Sequence, residues 1–278
     1  MCRKCLSESS VWNARRAFVL AAAAGVAAPA LAQVNVGKSS SFRNLVSAEQ
    51  LENAAAQQYA QLLAQARAQN ALATETNAPL QKLRLIAQRI IPHAAQWNDR
   101  ARQWRWEVNL IRNKQVNAFC MPGGKIAFFS GILDQLKLSD DEVAMVMGHE
   151  MAHALREHAR ERIGKTTATG ATLSIGAQLF GLGDLGNLGA RAITQIASLK
   201  FSRDDESEAD LVGLELAARS GFDPQAASTL WKKMAAASSG KGGLAFLSTH
   251  PSGPERIREL EANAPKVQAL YEQARKGR

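Results

Sequence analysis

Apolar positions divide the chain into segments of different period. A short unbroken run, Ala17 to Ala28, comes first, with Arg15-Arg16 before it and Ala30-Leu31-Ala32 after it. Val34 to Phe42 is polar and without period, which predicts a loose stretch. From Ser47 to Asn70, Ala, Gln and Leu recur at helical spacing with Ser47 as the cap. A second helix is predicted over Pro79 to Ile91. Trp104 to Arg112 alternates instead, as a half-buried strand does. Val116 to Cys120 and Lys125 to Phe129 read as two more strands around the turn signal Pro122-Gly123-Gly124.

Ser139 to Glu142 is a capping box, Ser139 at the cap and Glu142 three residues on. The helix it opens is predicted to run from Val143 to about Ile163. Thr166 to Ile196 is nearly uncharged and Gly-rich. It reads as two apolar helices joined by a Gly-rich loop, neither of which reaches membrane-spanning length without a break. Ser207 to Ser220 is predicted as a helix stopped by Gly221. Another starts at Asp223-Pro224, and the last begins over Pro254 to Glu261. The pattern implies an α+β fold, mainly helical, with a small sheet beside the capped helix.

The first 32 residues have the three parts of an export signal: a basic start, an apolar run and a small-x-small site. Residues 1–32 are therefore expected to be cleaved, leaving 33–278 as a single domain in the periplasm, by the Sec or the twin-arginine route. Cys2 and Cys5 leave with that segment. Cys120 then remains alone, so no intramolecular disulfide is expected, and its apolar setting makes it a small buried side chain. Formal net charge is +9 over 278 residues. No Lys/Arg-rich block accompanies it, so no nucleic-acid partner is expected.

The candidate chemistry lies at His149-Glu150-Met151-Ala152-His153. Residues four apart on a helix share a face, so His149 and His153 can bind one zinc ion. Glu150 sits beside the first of them, placed to take a proton from a water that zinc activates. Val143, Met145, Val146 and Met147 make this helix largely buried, and burying two His and a Glu is costly unless something satisfies them. Catalytic zinc takes three protein ligands and leaves one position open. Glu206 and Asp210 are again four apart, so one can bind metal while the other hydrogen-bonds a ligand His. Glu208 falls on the other side of that helix.

Together, His-Glu-Met-Ala-His and the later Glu206-Ser207-Glu208-Ala209-Asp210 resemble the HtpX/BepA/LoiP-type zinc metallopeptidases. The CAAX prenyl proteases and Oma-type mitochondrial proteases share that pattern. Asn117-Ala118-Phe119 with Pro122-Gly123-Gly124, Phe201-Ser202-Arg203, and Thr249-His250-Pro251 with Glu255-Arg256 are similar to the soluble periplasmic branch. The resemblance implies a zincin-like fold of the gluzincin kind and one zinc ion per chain. It implies His149, His153 and Glu206 as ligands, Glu150 as base and Asp210 behind a ligand. His250 matches a family position near the active site and is expected within reach of the zinc, as a removable fourth ligand or as an oxyanion donor. The implied activity is endopeptidase cleavage of misfolded or unassembled envelope proteins.

The chain is expected to depart from the membrane members by lacking their spans. It is also expected to lack the C-terminal tetratricopeptide domain of the BepA-like group, so that group's outer-membrane assembly machinery does not carry over as a partner on the resemblance alone. His158, five residues after His153, is expected to face solvent, and His93 to be structural. Lys125 to Phe129 is expected either to offer an edge strand to substrate or to be an ordinary core strand. Two rivals remain: a zinc-containing periplasmic chaperone or assembly factor with dormant hydrolysis, and a protein that touches the membrane surface through Thr166–Ile196.

Overall fold

The computed structural model describes residues 34–168, 201–238, 245–251 and 253–277. Its three strands are β1 (Glu107–Ile111), β2 (Ala118–Met121) and β3 (Lys125–Phe129). They lie in the order β1-β3-β2, with β1 parallel and β2 antiparallel to β3. Gly123 and Gly124 take positive φ (82° and 76°) to close the β2–β3 hairpin. The strand expected as a possible edge, Lys125–Phe129, is thus the centre of the sheet and buried along its whole length. Alternation reports which face a side chain takes, not which strand lies beside it. β2 is the edge that packs against the helix carrying the His-Glu motif.

Both sheet faces are covered. Ile111, Met121, Ala127 and Phe129 meet α1 (Ala48–Ala68) through its buried stripe of Leu51, Ala55, Tyr59, Leu62 and Ala66. Ser47 caps α1, its side chain accepting from the Gln50 amide. Val108, Leu110, Cys120, Ile126 and Phe128 face the larger core. α2 (Ala78–Ile90) joins that core through Leu80, Leu83, Ile86, Ala87 and Ile90, capped by Asn77. β1 begins at Glu107 and not at Trp104; the Trp104 and Trp106 rings before it lie against each other, centroids 5.2 Å apart.

After the short α3 (Ser130–Leu136) comes α4 (Asp140–Leu155), buried along nearly all its length. Both capping-box hydrogen bonds of Ser139 and Glu142 form. The predicted single helix to Ile163 is interrupted: Glu157 adopts φ 60° and α5 (His158–Ala168) starts on a new axis. A left-handed Glu is unfavourable by itself. Here its carboxylate is held by Arg43 at 3.0 Å and Arg160 at 2.8 Å.

α6 (Arg203–Arg219) starts four residues before the predicted Ser207, from a second capping box of Ser202 and Asp205. It crosses α4 where Gly148 meets Gly213. A Cβ on Gly213 would lie 2.6 Å from the His149 amide nitrogen, and one on Gly148 2.7 Å from the Gly213 carbonyl. The two bare backbones let the helices approach beside His149. α7 (Ala226–Ser238), α8 (Ala245–Thr249) and α9 (Pro254–Lys276) complete the described chain, with α9 packed along α6.

The stretch expected to be loose is tied at its start, since the Val34 amide donates to the buried Glu215 at 3.0 Å. Ser41–Leu45 forms a 3-10 turn. The apolar pair predicted over Thr166–Ile196 lies almost wholly outside the described residues. Among the described residues no helix is long and apolar enough to cross a membrane.

Candidate active site

Three segments meet in the core. α4 brings His149, Glu150 and His153, and the first turn of α6 brings Glu206. The residue following α8 is His250. All five side chains are buried. His149, His153, Glu206 and His250 each turn one donor atom to a common point, the four atoms lying within 4.8 Å of one another. His149 Nε2 is 3.2 Å from His153 Nε2 and 3.2 Å from His250 Nδ1. Glu206 Oε1 is 3.4 Å from His153 Nε2 and 2.9 Å from His250 Nδ1. Four donors about 2.1 Å from one ion at tetrahedral angles stand about 3.4 Å apart. The donor set and its separations therefore fit a zinc ion. Glu150 Oε1 is buried without a hydrogen-bond partner, 3.5 Å from His250 Nε2.

The electrostatics favour a positive charge at this point. Burial alone would depress His149, but the Asp210 and Glu206 carboxylates outweigh it and raise the group to about 9. His153 goes the other way, pushed well below the usual histidine range by burial. Burial also raises Glu150, which suits a proton acceptor more than a permanent anion. Glu206 is held far below the usual carboxylate range because the hydrogen bonds of His149, His153 and His250 overcome its burial. A proton on His149 or a metal cation supplies the charge these carboxylates require.

Outside the cluster, Asp210 Oδ1 lies 3.0 Å from His149 Nδ1. Arg256, on α9, grips Asp210 with two hydrogen bonds of 2.7 and 2.8 Å. Its third nitrogen is 2.8 Å from Glu206 Oε2, and its guanidinium lies over Trp231. Sequence reasoning gave Arg256 no role. The signal available was its place in the first turn of the helix that follows His250.

His158 corrects another expectation. It is buried, with Nδ1 2.9 Å from His153 Nδ1 and Nε2 3.0 Å from Glu208 Oε2. An unbroken helix would have carried it away from His153, and the break at Glu157 brings it back. Glu208 stays out of the four-donor cluster, and its other oxygen meets Arg156. Phe201 stacks on His153 and Phe246 on His250, at centroid distances of 4.0 and 4.4 Å. His93 stands apart, its basicity lowered by partial burial. Cys120 is a buried free thiol on β2.

The chain is similar in sequence to known metallopeptidases. The mitochondrial metalloendopeptidase OMA1 of Schizosaccharomyces pombe is 41% identical over 169 residues, covering 60% of this chain and 49% of that protein. The metalloprotease LoiP of Escherichia coli (strain K12) is 31% identical over 153 residues, 53% of this chain and 58% of its own. The beta-barrel assembly-enhancing protease of the same organism is 30% identical over 178 residues, 59% of this chain and 36% of its own. The chain thus spans less than two thirds of the length of each of these relatives. Residues 77–264 match the sequence pattern of Peptidase family M48. That stretch exceeds half of the chain and holds every residue of the cluster, and on it the chain belongs to Peptidase family M48.

Proposed function

We propose that the chain is a zinc-dependent endopeptidase in which His149, His153 and Glu206 hold the ion and Glu150 is the general base. The observation that carries the reading is the buried cluster with near-tetrahedral separations, next to a carboxylate oxygen that has no partner. When bound, the ion supplies Lewis-acid polarisation of water and of the attacked carbonyl. Glu150, made more basic by burial, takes the proton and passes it to the leaving amine. Asp210 fixes the His149 ring. An extended peptide is bound along the outer edge of β2, beside α4.

His250 is the removable fourth donor in this reading. Catalytic zinc sites keep one position open, and here a fourth donor, a nitrogen of His250, lies within 4.8 Å of the other three donor atoms. The resting protein is then latent until the loop after α8 moves. His250→Ala should raise basal cleavage. Strongly reduced cleavage would make His250 an oxyanion donor instead, and unchanged cleavage with unchanged zinc affinity would remove it from the site.

By analogy with the family, and with the beta-barrel assembly for which one Escherichia coli relative is named, the substrates are misfolded or unassembled envelope proteins. In this proposal 33–278 acts in the periplasm as a single domain after loss of residues 1–32. Thr166–Ile196 is a peripheral membrane contact in this proposal, and the outer-membrane assembly machinery is a partner only where the chain acts as an assembly factor. The fourth donor also favours a second reading, a zinc-containing chaperone or assembly factor with dormant hydrolysis.

The test is to purify the protein, measure its zinc, and follow casein cleavage with and without a chelator. Glu150→Gln should keep zinc and lose cleavage by about 10²-fold or more. Near wild-type cleavage by that variant sinks the mechanism, and a chain that holds no zinc sinks the site.

A further inference from the structure

One side of the His153 ring faces away from the four donors and meets His158. We infer that His158 and Glu208 are positioning residues that lock His153 in the tautomer able to bind a metal. The inference rests on the reading of His153 as a ligand.

The atoms leave little choice. His153 Nε2 faces the cluster, 3.2 Å from His149 Nε2, so its free lone pair must be on Nε2 for it to ligate. Its proton then sits on Nδ1, directed at His158 Nδ1 across 2.9 Å. His158 must accept there, which places its own proton on Nε2. That proton meets Glu208 Oε2 at 3.0 Å, and an ionised carboxylate only accepts. Every proton in the chain His153–His158–Glu208 is therefore assigned, with both rings neutral.

Two imidazoles alone would not make this choice. The reverse tautomer pair, with His158 donating to His153, satisfies the 2.9 Å contact equally well. It puts the His153 proton on Nε2 and blocks ligation. Without the ion, Glu206 Oε1 at 3.4 Å from His153 Nε2 favours that reverse pair, and Glu208 opposes it, because the reverse arrangement turns a bare His158 nitrogen toward its oxygen. The break at Glu157 is what makes the contact geometrically available. Partners of this kind, behind a metal-binding His, change metal affinity about 10–100-fold when removed.

The experiment measures zinc affinity of the full-length chain by chelator competition, with the visible spectrum of the cobalt(II) form as a second readout. His158→Phe fills the buried volume without an acceptor. It should weaken zinc about 10–100-fold and alter the cobalt spectrum while leaving the circular dichroism unchanged. His158→Asn keeps an acceptor near the Nδ1 position and should recover part of the loss. Glu208→Ala, at a partly exposed position, should weaken zinc by about 10-fold, the low end of that range. A folded His158→Phe with wild-type affinity and spectrum overturns the inference. If His158→Phe does not fold, unchanged affinity in Glu208→Ala overturns it. His153→Ala separates the two levels. If it binds zinc as well as the wild type, the ligand assignment itself fails. If it loses zinc while the His158 and Glu208 variants do not, only the relay fails.

Discussion

The two imidazoles that α4 turns to the cluster are braced in different ways. His149 meets its carboxylate directly, with Asp210 at 3.0 Å and the Arg256 guanidinium behind. His153 meets its carboxylate through another ring, His158, with Glu208 beyond it and Arg156 behind. Both carboxylates come from α6, two residues apart, and so point to opposite sides of that helix. The Asp210 side chain is 4% exposed and the Glu208 side chain 18%. One brace is sealed in the core and carries two fixed charges. The other runs through a second imidazole ring to a side chain that is partly exposed.

The sealed brace is where the larger energy is at stake. A buried ion pair contributes little over an apolar replacement, but removing one partner strands the other. Arg256→Met would leave Asp210 ionised in the core and remove one of the cations that face Glu206. The metal-free chain should lose about 3–5 kcal/mol of stability, measured by chemical denaturation. Bound zinc should return part of that, because it supplies charge next to Glu206. A loss below about 1 kcal/mol in the metal-free chain would mean that the sealed brace is no more demanding than a surface pair.

Both braces depend on how near α6 lies to α4. Gly148 and Gly213 set that distance, and a Cβ on Gly213 meets backbone, which cannot move aside as a side chain tip can. Gly213→Ala should cost about 1–3 kcal/mol by forced overpacking. It should also lower zinc affinity, because Asp210 and Glu208 shift together relative to the two His. If stability falls while affinity is unchanged, the crossing supports the fold without tuning the site, and the two braces tolerate displacement.

Much of the direct brace was legible in the sequence. The four-residue spacings of His149/His153 and Glu206/Asp210 place pairs of side chains on single helix faces, and the Ser139–Glu142 capping box fixes where α4 begins. The relayed brace was not legible. Leu155-Arg156-Glu157-His158 contains neither Gly nor Pro, so nothing local marks the turn. Arg43, more than a hundred residues earlier, helps hold Glu157 in a left-handed conformation. The early start of α6 had a signal, since Ser202 and Asp205 are a capping box with Asp in place of Glu. The strand order had none, because alternation is the same for a central strand and an edge. Arg256 had only its place in the sequence, and its burial against Trp231, Asp210 and Glu206 is a fact of tertiary packing.

The smallest effect expected is at the far end of the relayed brace. Arg156 contacts one oxygen of Glu208, while the other oxygen holds His158. Arg156 also donates to the Gly37 carbonyl at 3.0 Å, so part of its contribution is to tether the N-terminal stretch. In Arg156→Ala the Glu208 carboxylate keeps its bond to His158, and water can enter the space the guanidinium leaves because the Glu208 side chain is partly exposed, although its Oε1 atom is buried in the intact protein. The pair should therefore behave like those near a surface, worth about 1 kcal/mol or less and weakened by salt. Zinc affinity should fall less in Arg156→Ala than in Glu208→Ala, since only the latter frees the His158 tautomer. Denaturation and chelator competition on the two Arg variants, at low and high salt, put the comparison on one scale. Arg256→Met should be costly and nearly indifferent to salt, Arg156→Ala mild and salt-dependent. Equal costs with equal salt response would mean that the relayed brace is as sealed as the direct one. The small exposure of Glu208 would then not be what separates them.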